Sequence, residues 1–222
     1  METLLRFLHI ACGVLALGCG TIAALSAKGM KVHRLAGKIF YIAMYGVVIA
    51  ATILAVQKSN WFLFSIGIFA FYLTFSGVRV LGMKNIAKLN ISWADWLLAV
   101  VAILCGFGMV LLASIGMVSD GQIDIRLVLL VFGFATCTIG VHDLQFFVKK
   151  VYRKNETWLL KHIVRMGGAF ISTITAFAVV NGGRVPVLSE YLWFQLLLWL
   201  GPSFIGAMIL SSTVKKYIKI KV

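Results

Sequence analysis

Residues 93–118 read WADWLLAVVAILCGFGMVLLASIGMV. Asp95 is the single charge in this stretch, and no proline interrupts it. A bilayer core about 30 Å thick takes about 20 residues of helix to cross. A strand of a membrane barrel alternates in polarity and is about half as long. In lipid every backbone N–H and C=O has to find its partner inside the protein, which a helix does within one segment. The stretch therefore reads as a transmembrane helix.

Six further runs have the same character: approximately Leu4–Ala27, Arg34–Gln57, Trp61–Gly82, Ile123–Val148, Thr157–Asn181 and Tyr191–Thr213. Together with Trp93–Val118 they account for most of the chain. Of the 222 residues 61% are hydrophobic and 13% charged, with a mean hydropathy of +1.00. Soluble domains are about 45–50% apolar and about 25% charged. The polar side chains are too few to coat a globule of this size. The expectation is one all-α, polytopic transmembrane bundle of seven helices over residues 1–222, with no soluble domain, linker or repeat. The first run ends in a small-residue ALSA stretch. It is longer than the apolar core of a signal peptide, so it is expected to remain as a helix.

The charge of +14 is distributed unevenly. Lys28, Lys31, Arg34 and Lys38 fall between runs one and two. Arg79, Lys84 and Lys88 lie around the next loop on the same side. Lys149, Lys150, Arg153, Lys154, Lys161 and Arg165 lie around the third, and Lys215, Lys216, Lys219 and Lys221 follow run seven. That face holds 17 of the 21 basic residues, with Asp95, Asp143 and Glu156. The other face holds Arg6, Lys58, Arg126 and Arg184 against Glu2, Asp120, Asp124 and Glu190. The positive-inside rule puts the basic face in the cytoplasm, with the N-terminus outside and the C-terminus inside. Short basic loops of this kind meet anionic lipid headgroups. No groove of interleaved aromatic and basic residues suggests nucleic acid.

Trp61, Trp93, Trp96, Trp158, Tyr191 and Trp193 cluster at run ends, as interfacial anchors do. Gly13, Gly18, Gly20, Gly106, Gly108, Gly133, Gly140, Gly167, Gly168, Gly201 and Gly206 are read as close-packing positions between helices. Cys12, Cys19, Cys105 and Cys137 lie within apolar runs without a C-x-x-C pair and are read as small hydrophobes.

The four histidines carry the chemical question. His33, His142 and His162 fall near the basic ends of runs two, five and six, whereas His9 lies alone near the opposite end of run one. Ionisable groups inside spans usually face protein or a cavity. Spacings of three and four put His162, Arg165, Ala169, Ser172, Thr173 and Ala176 on one side of run six, which is expected to face the bundle. HIACG and HRLAG each place a glycine four residues after a histidine, Gly13 and Gly37, leaving a notch beside the imidazole.

Four readings remain open. Haem b held by imidazoles from different helices suits this leaflet, with Arg34, Arg79 and Arg165 placed for its carboxylates. Zinc held by His33, His142 and His162 with Asp143 or Asp95 is acceptable ligand chemistry for a metal-dependent membrane enzyme. A transporter or proton relay would use His142, Asp143, His162 and Arg165. The histidines could also be hydrogen-bonded or interfacial residues with no chemistry of their own. No H-E-x-x-H, nucleophile elbow or phosphate loop is present. Whether the chain is an enzyme stays open.

LHIACGVLALGCGTIAALSAKGMKVHRLAGKIFYIAM (residues 8–44) and HIVRMGGAFISTITAF (residues 162–177) resemble a bacterial family of multipass membrane proteins of unknown function. Its pattern is an LH helix, a basic loop with HRrlGr-Y, and a later H-x-x-x-x-R helix. His9, His33, Gly37 and His162 fall on that pattern, as does the arginine after His33; an arginine also follows His162, at the shorter spacing of Arg165, and Lys38 stands where arginine is expected. The resemblance implies a multipass protein of the bacterial inner membrane and no particular activity. The cofactor candidates, taken from the leaflet that the histidines and arginines share, are His33, His162, His142, Arg34 and Arg165.

Overall fold

The structure, a computed structural model, describes residues 1–85, 90–119, 123–152, 157–189 and 191–219. Lys88, Asp120, Arg153, Lys154, Glu156, Glu190 and Lys221 lie outside the described residues. Among those described there are helices and no strand. Seven helices are long and apolar enough to cross a membrane. They are α1 (Glu2–Leu25), α2 (Lys31–Gln57), α3 (Trp61–Arg79), α4 (Trp93–Ser119), α5 (Ile123–Lys149), α6 (Trp158–Gly182) and α7 (Leu192–Lys219).

Local chemistry sets the boundaries. The Asn60 side chain accepts the Leu63 N–H, and Thr157 accepts that of Leu160, so α3 and α6 start on ordinary N-caps. Ser26 turns extended and ends α1, and Gly29 takes a φ of +80°, which a glycine adopts without steric cost. The second helix begins at Lys31, earlier than the apolar run, which sets His33 in its first turn. The third run is an α-helix only to Arg79 and tightens into a 3-10 turn over Val80–Met83. The seventh continues past its apolar run through Lys215 and Lys216, which are good helix formers.

Two groupings share α3. Helices α1, α2, α3 and α6 close a ring in which each touches the next. Ala16, Phe40, Met44, Leu73 and Ala169 fill it, with Phe170 packed edge-on against Phe40. Helices α4 and α5 form a tight pair against the other side of α3. Here a Cβ on Gly106 would lie 2.7 Å from the Gly133 carbonyl, and one on Gly140 would meet Ile103 at 2.7 Å. Small residues let these backbones approach, as expected of helices that associate in lipid. Helix α7 lies along α6 at the periphery, with Gly167 against Leu210 and Gly206 against Ile171. The Thr175 hydroxyl is the one buried side-chain polar atom without a hydrogen-bond partner among the described residues.

Packing accounts for Gly20, Gly106, Gly133, Gly140, Gly167, Gly168 and Gly206, but Gly13, Gly18 and Gly108 have nothing within 4 Å of an added Cβ. On α6, Arg165, Ala169 and Thr173 are buried as the spacing predicts, whereas Ala176 is exposed and Thr175 is buried in its place. Trp61, Trp93, Trp96, Tyr191 and Trp193 are exposed at helix ends, and Trp158 lies half-buried under the Lys84 ammonium. The four cysteines are free.

Candidate functional site

One end of the bundle gathers the end of α1, the starts of α2, α4 and α6, and the ends of α3 and α5. It is the basic end. Tyr152, beyond α5, donates to the Met83 carbonyl, and Lys84 covers Trp158 at the start of α6, so the loops meet there.

His33 donates from Nδ1 to the Ala23 carbonyl at 2.9 Å, and His162 donates from Nδ1 to Gly77 at 2.7 Å. Both acceptors lie in the last turn of a helix, α1 and α3, where carbonyls lack an intrahelical donor. A carbonyl can only accept, so each bond places the proton of a neutral imidazole on Nδ1 and leaves the Nε2 lone pair available. Among the described residues neither Nε2 has a hydrogen-bond partner. Both rings are half-buried, and His162 lies within electrostatic range of His33 and Lys84. Lys28 joins the same cap, donating to Ala23 and Ala24, and its partial burial there lowers its pKa below the ordinary lysine value. The histidine among cations is therefore a helix cap at Nδ1 with a free ligand atom at Nε2.

Beside the pair lies a buried ionic cluster. Asp143 on α5 accepts from Lys161 Nζ at 3.3 Å and Arg165 Nη2 at 3.0 Å on one oxygen. On the other it accepts from the Tyr72 hydroxyl at 2.7 Å and Arg165 Nη1 at 2.9 Å. Asp143, Lys161, Arg165 and Tyr72 are all buried. Arg165 also donates to Ser76 Oγ. Lys161 also stands 4.2 Å above the Phe146 ring, whose face attracts its charge. A turn nearer the loops, Arg79 grips Asp95 through Nε at 2.8 Å and Nη2 at 2.8 Å. Asp95 also accepts from the backbone N–H and the hydroxyl of Ser92, fixing the start of α4. A cavity of about 20 Å³ lies between the clusters, bordered by Tyr72, Ser76, Arg79, Asp95, Asp143 and Lys161. That is room for one water molecule.

The expected zinc set of His33, His142, His162 and Asp143 is not assembled. No three His, Cys, Asp or Glu side chains converge to hold a metal among the described residues. The reason is visible at Asp143, whose carboxylate has its acceptor positions filled by three donors. The expectation that Arg79 and Arg165 serve a cofactor's carboxylates meets the same obstacle, since both are bound to aspartates. Arg34 is exposed one residue beyond His33. His142 is half-buried on α5 and has a partner of its own.

Tyr72, Ser76 and Lys161 were not singled out from the sequence as site residues. Lys161 and Arg165 stand at i and i+4 inside an apolar run, a spacing that places two cations on one buried face. Tyr72 carries no such signal, being one aromatic among many in α3. Comparison with known proteins adds no relative: no family model, no curated protein and no solved structure matches the chain.

Proposed function

We propose that this is a multipass protein of the bacterial inner membrane that binds haem b through His33 and His162. The observation carrying this reading is the paired histidine geometry. Two half-buried imidazoles stand at one end of a four-helix ring, each aimed by an Nδ1–H bond to a neighbouring helix, each with Nε2 free. Ligating histidines are held in this way, with the outer nitrogen bonded to a carbonyl or carboxylate. The donor set fits haem: two neutral nitrogens from different helices, and open space beside Gly37 one turn from His33. Haem bound there would supply one-electron redox chemistry.

The chain's own residues have definable parts. The Ala23 and Gly77 carbonyls hold the tautomers. Arg34 offers an exposed cation for a cofactor carboxylate. The basic end faces the cytoplasm and anionic headgroups, with the N-terminus outside and the C-terminus inside, by the charge asymmetry. The resemblance to bacterial multipass proteins supports the location.

The test is the absorption spectrum of the purified protein, expressed with ample haem, before and after dithionite. The expected result is a Soret band that shifts on reduction and is weakened in His33→Asn and in His162→Asn. A featureless spectrum would remove the reading.

A second reading, a proton or solute relay, draws on a different observation. The Asp143 cluster surrounds a cavity wide enough for a water, in a position where charge is costly. On that reading Asp143→Asn abolishes transport into proteoliposomes, and the protein stays colourless.

A further inference from the structure

His9 and His33 are related by more than their shared H-x-x-x-G spelling. His9 on α1 donates from Nδ1 to the Val47 carbonyl on α2 at 3.1 Å. His33 on α2 donates from Nδ1 to the Ala23 carbonyl on α1 at 2.9 Å. His33 follows His9 by 24 residues, Gly37 follows Gly13 by 24, and Val47 follows Ala23 by 24. Each helix thus offers a histidine to one end of the pair and receives one at the other. The antiparallel α1–α2 hairpin is a local two-fold unit, and the two imidazoles are its equivalent positions at opposite ends of the membrane span.

The equivalence extends to the surroundings. Both rings are half-buried. Neither Nε2 has a partner among the described residues. An added Cβ at Gly13 or at Gly37 would meet nothing within 4 Å. Gly18, Gly29 and Gly108 are equally open, so openness alone carries no weight; the coincidence with a clasped histidine does. The two bonds differ in one respect. Ala23 lies in the last turn of α1 and needs a donor, whereas Val47 lies inside α2, where the helix supplies one. Capping explains His33 at Nδ1 but gives no reason for His9.

We propose that His9 is a second ligand position equivalent to His33, taking a flat metal-centred macrocycle, haem b, through Nε2 with Gly13 leaving room at its edge. This rests on the haem reading of His33 and His162. The other three histidines stand at the basic end, so a haem held at His9 would receive one imidazole from the chain, and a haem held by His33 and His162 would receive two. An open position on reduced haem binds carbon monoxide, and a bis-imidazole centre does not.

The experiment is haem content per chain together with the carbon monoxide difference spectrum of the dithionite-reduced protein. His9→Asn keeps an amide donor for the Val47 carbonyl and removes the ligating nitrogen. Gly13→Leu fills the notch without touching the histidine. The expected result is two haems in the native protein, one in each variant, and a carbon monoxide signal lost in both yet retained in His33→Asn. One haem per chain, unaffected by His9→Asn and lost in His33→Asn, would overturn this inference and leave the haem reading standing. No haem in the native protein would overturn both.

Discussion

The two ends of the bundle solve the same electrostatic problem differently. At the basic end Asp143 and Asp95 are buried, and each is gripped by an arginine through two nitrogens. At the opposite end Glu2 reaches Arg6 on its own helix and Lys58 at the end of α2, all exposed to solvent. Buried charge is tolerated only when paired and hydrogen-bonded, so its partners are fixed. Exposed pairs are screened and contribute little. The aspartate pairs of the basic end define a structure, while the Glu2 pairs of the other end decorate one.

The largest effect should come from Asp143→Ala. Removing the carboxylate takes from the buried Arg165 the anion it binds through two nitrogens, and breaking such a group costs about 3–5 kcal/mol. A marked fall in the thermal midpoint in detergent is the expected readout. Arg165→Met should cost less, because Lys161 remains to neutralise Asp143. If Arg165→Met proves the more damaging of the two, the carboxylate is not the centre of the cluster and the contrast between the ends is misplaced.

Much of this was legible before any coordinates. Seven apolar runs predicted seven helices, because lipid leaves the backbone few alternatives. The charge pattern marked the end where the polar site lies. Composition could not say which polar side chains meet. Asp143 looks like a metal ligand because it follows His142, but neighbours in a helix point about 100° apart, and Asp143 turns to Lys161 and Arg165 on α6. Lys161 reads as one of the cations around the loop and is buried beneath it. The clasp between His9 and Val47 depends on the register of two helices, which no local pattern encodes. The glycines divide for a similar reason: Gly106 and Gly13 look alike in sequence, and only packing shows that the first touches a backbone and the second nothing.

A smaller effect is expected at Asp95→Asn. The amide retains one acceptor for the Ser92 N–H and loses the charge that holds Arg79. Hydrogen bonds to charged groups are worth about 1.5–3 kcal/mol. Arg79 is nearly a third exposed and recovers part of its solvation, so the cost belongs at the lower end of that range. The readout separates a cap from a core ion pair. Hydrogen exchange should quicken in the first turn of α4 and at the end of α3, and stay unchanged around Asp143. Faster exchange at Tyr72 or Lys161 would mean that the two clusters act as one.

Glu2→Gln should change least, and the reason sharpens the comparison. Glu2 stands at the start of α1, where a carboxylate also interacts with the helix dipole, and two cations lie on it. By count of contacts it rivals Asp95. All three side chains are about half exposed, however, so water competes for each of them and their long stems lose entropy on ordering. The expected result is a thermal midpoint indistinguishable from the native protein at physiological salt, with at most a small loss at low salt. A loss comparable to Asp95→Asn would show that exposure, not the number of partners, had been misjudged as the deciding variable. The opposite end of α1 and α2 would then be held by its ion pairs as firmly as the basic end is.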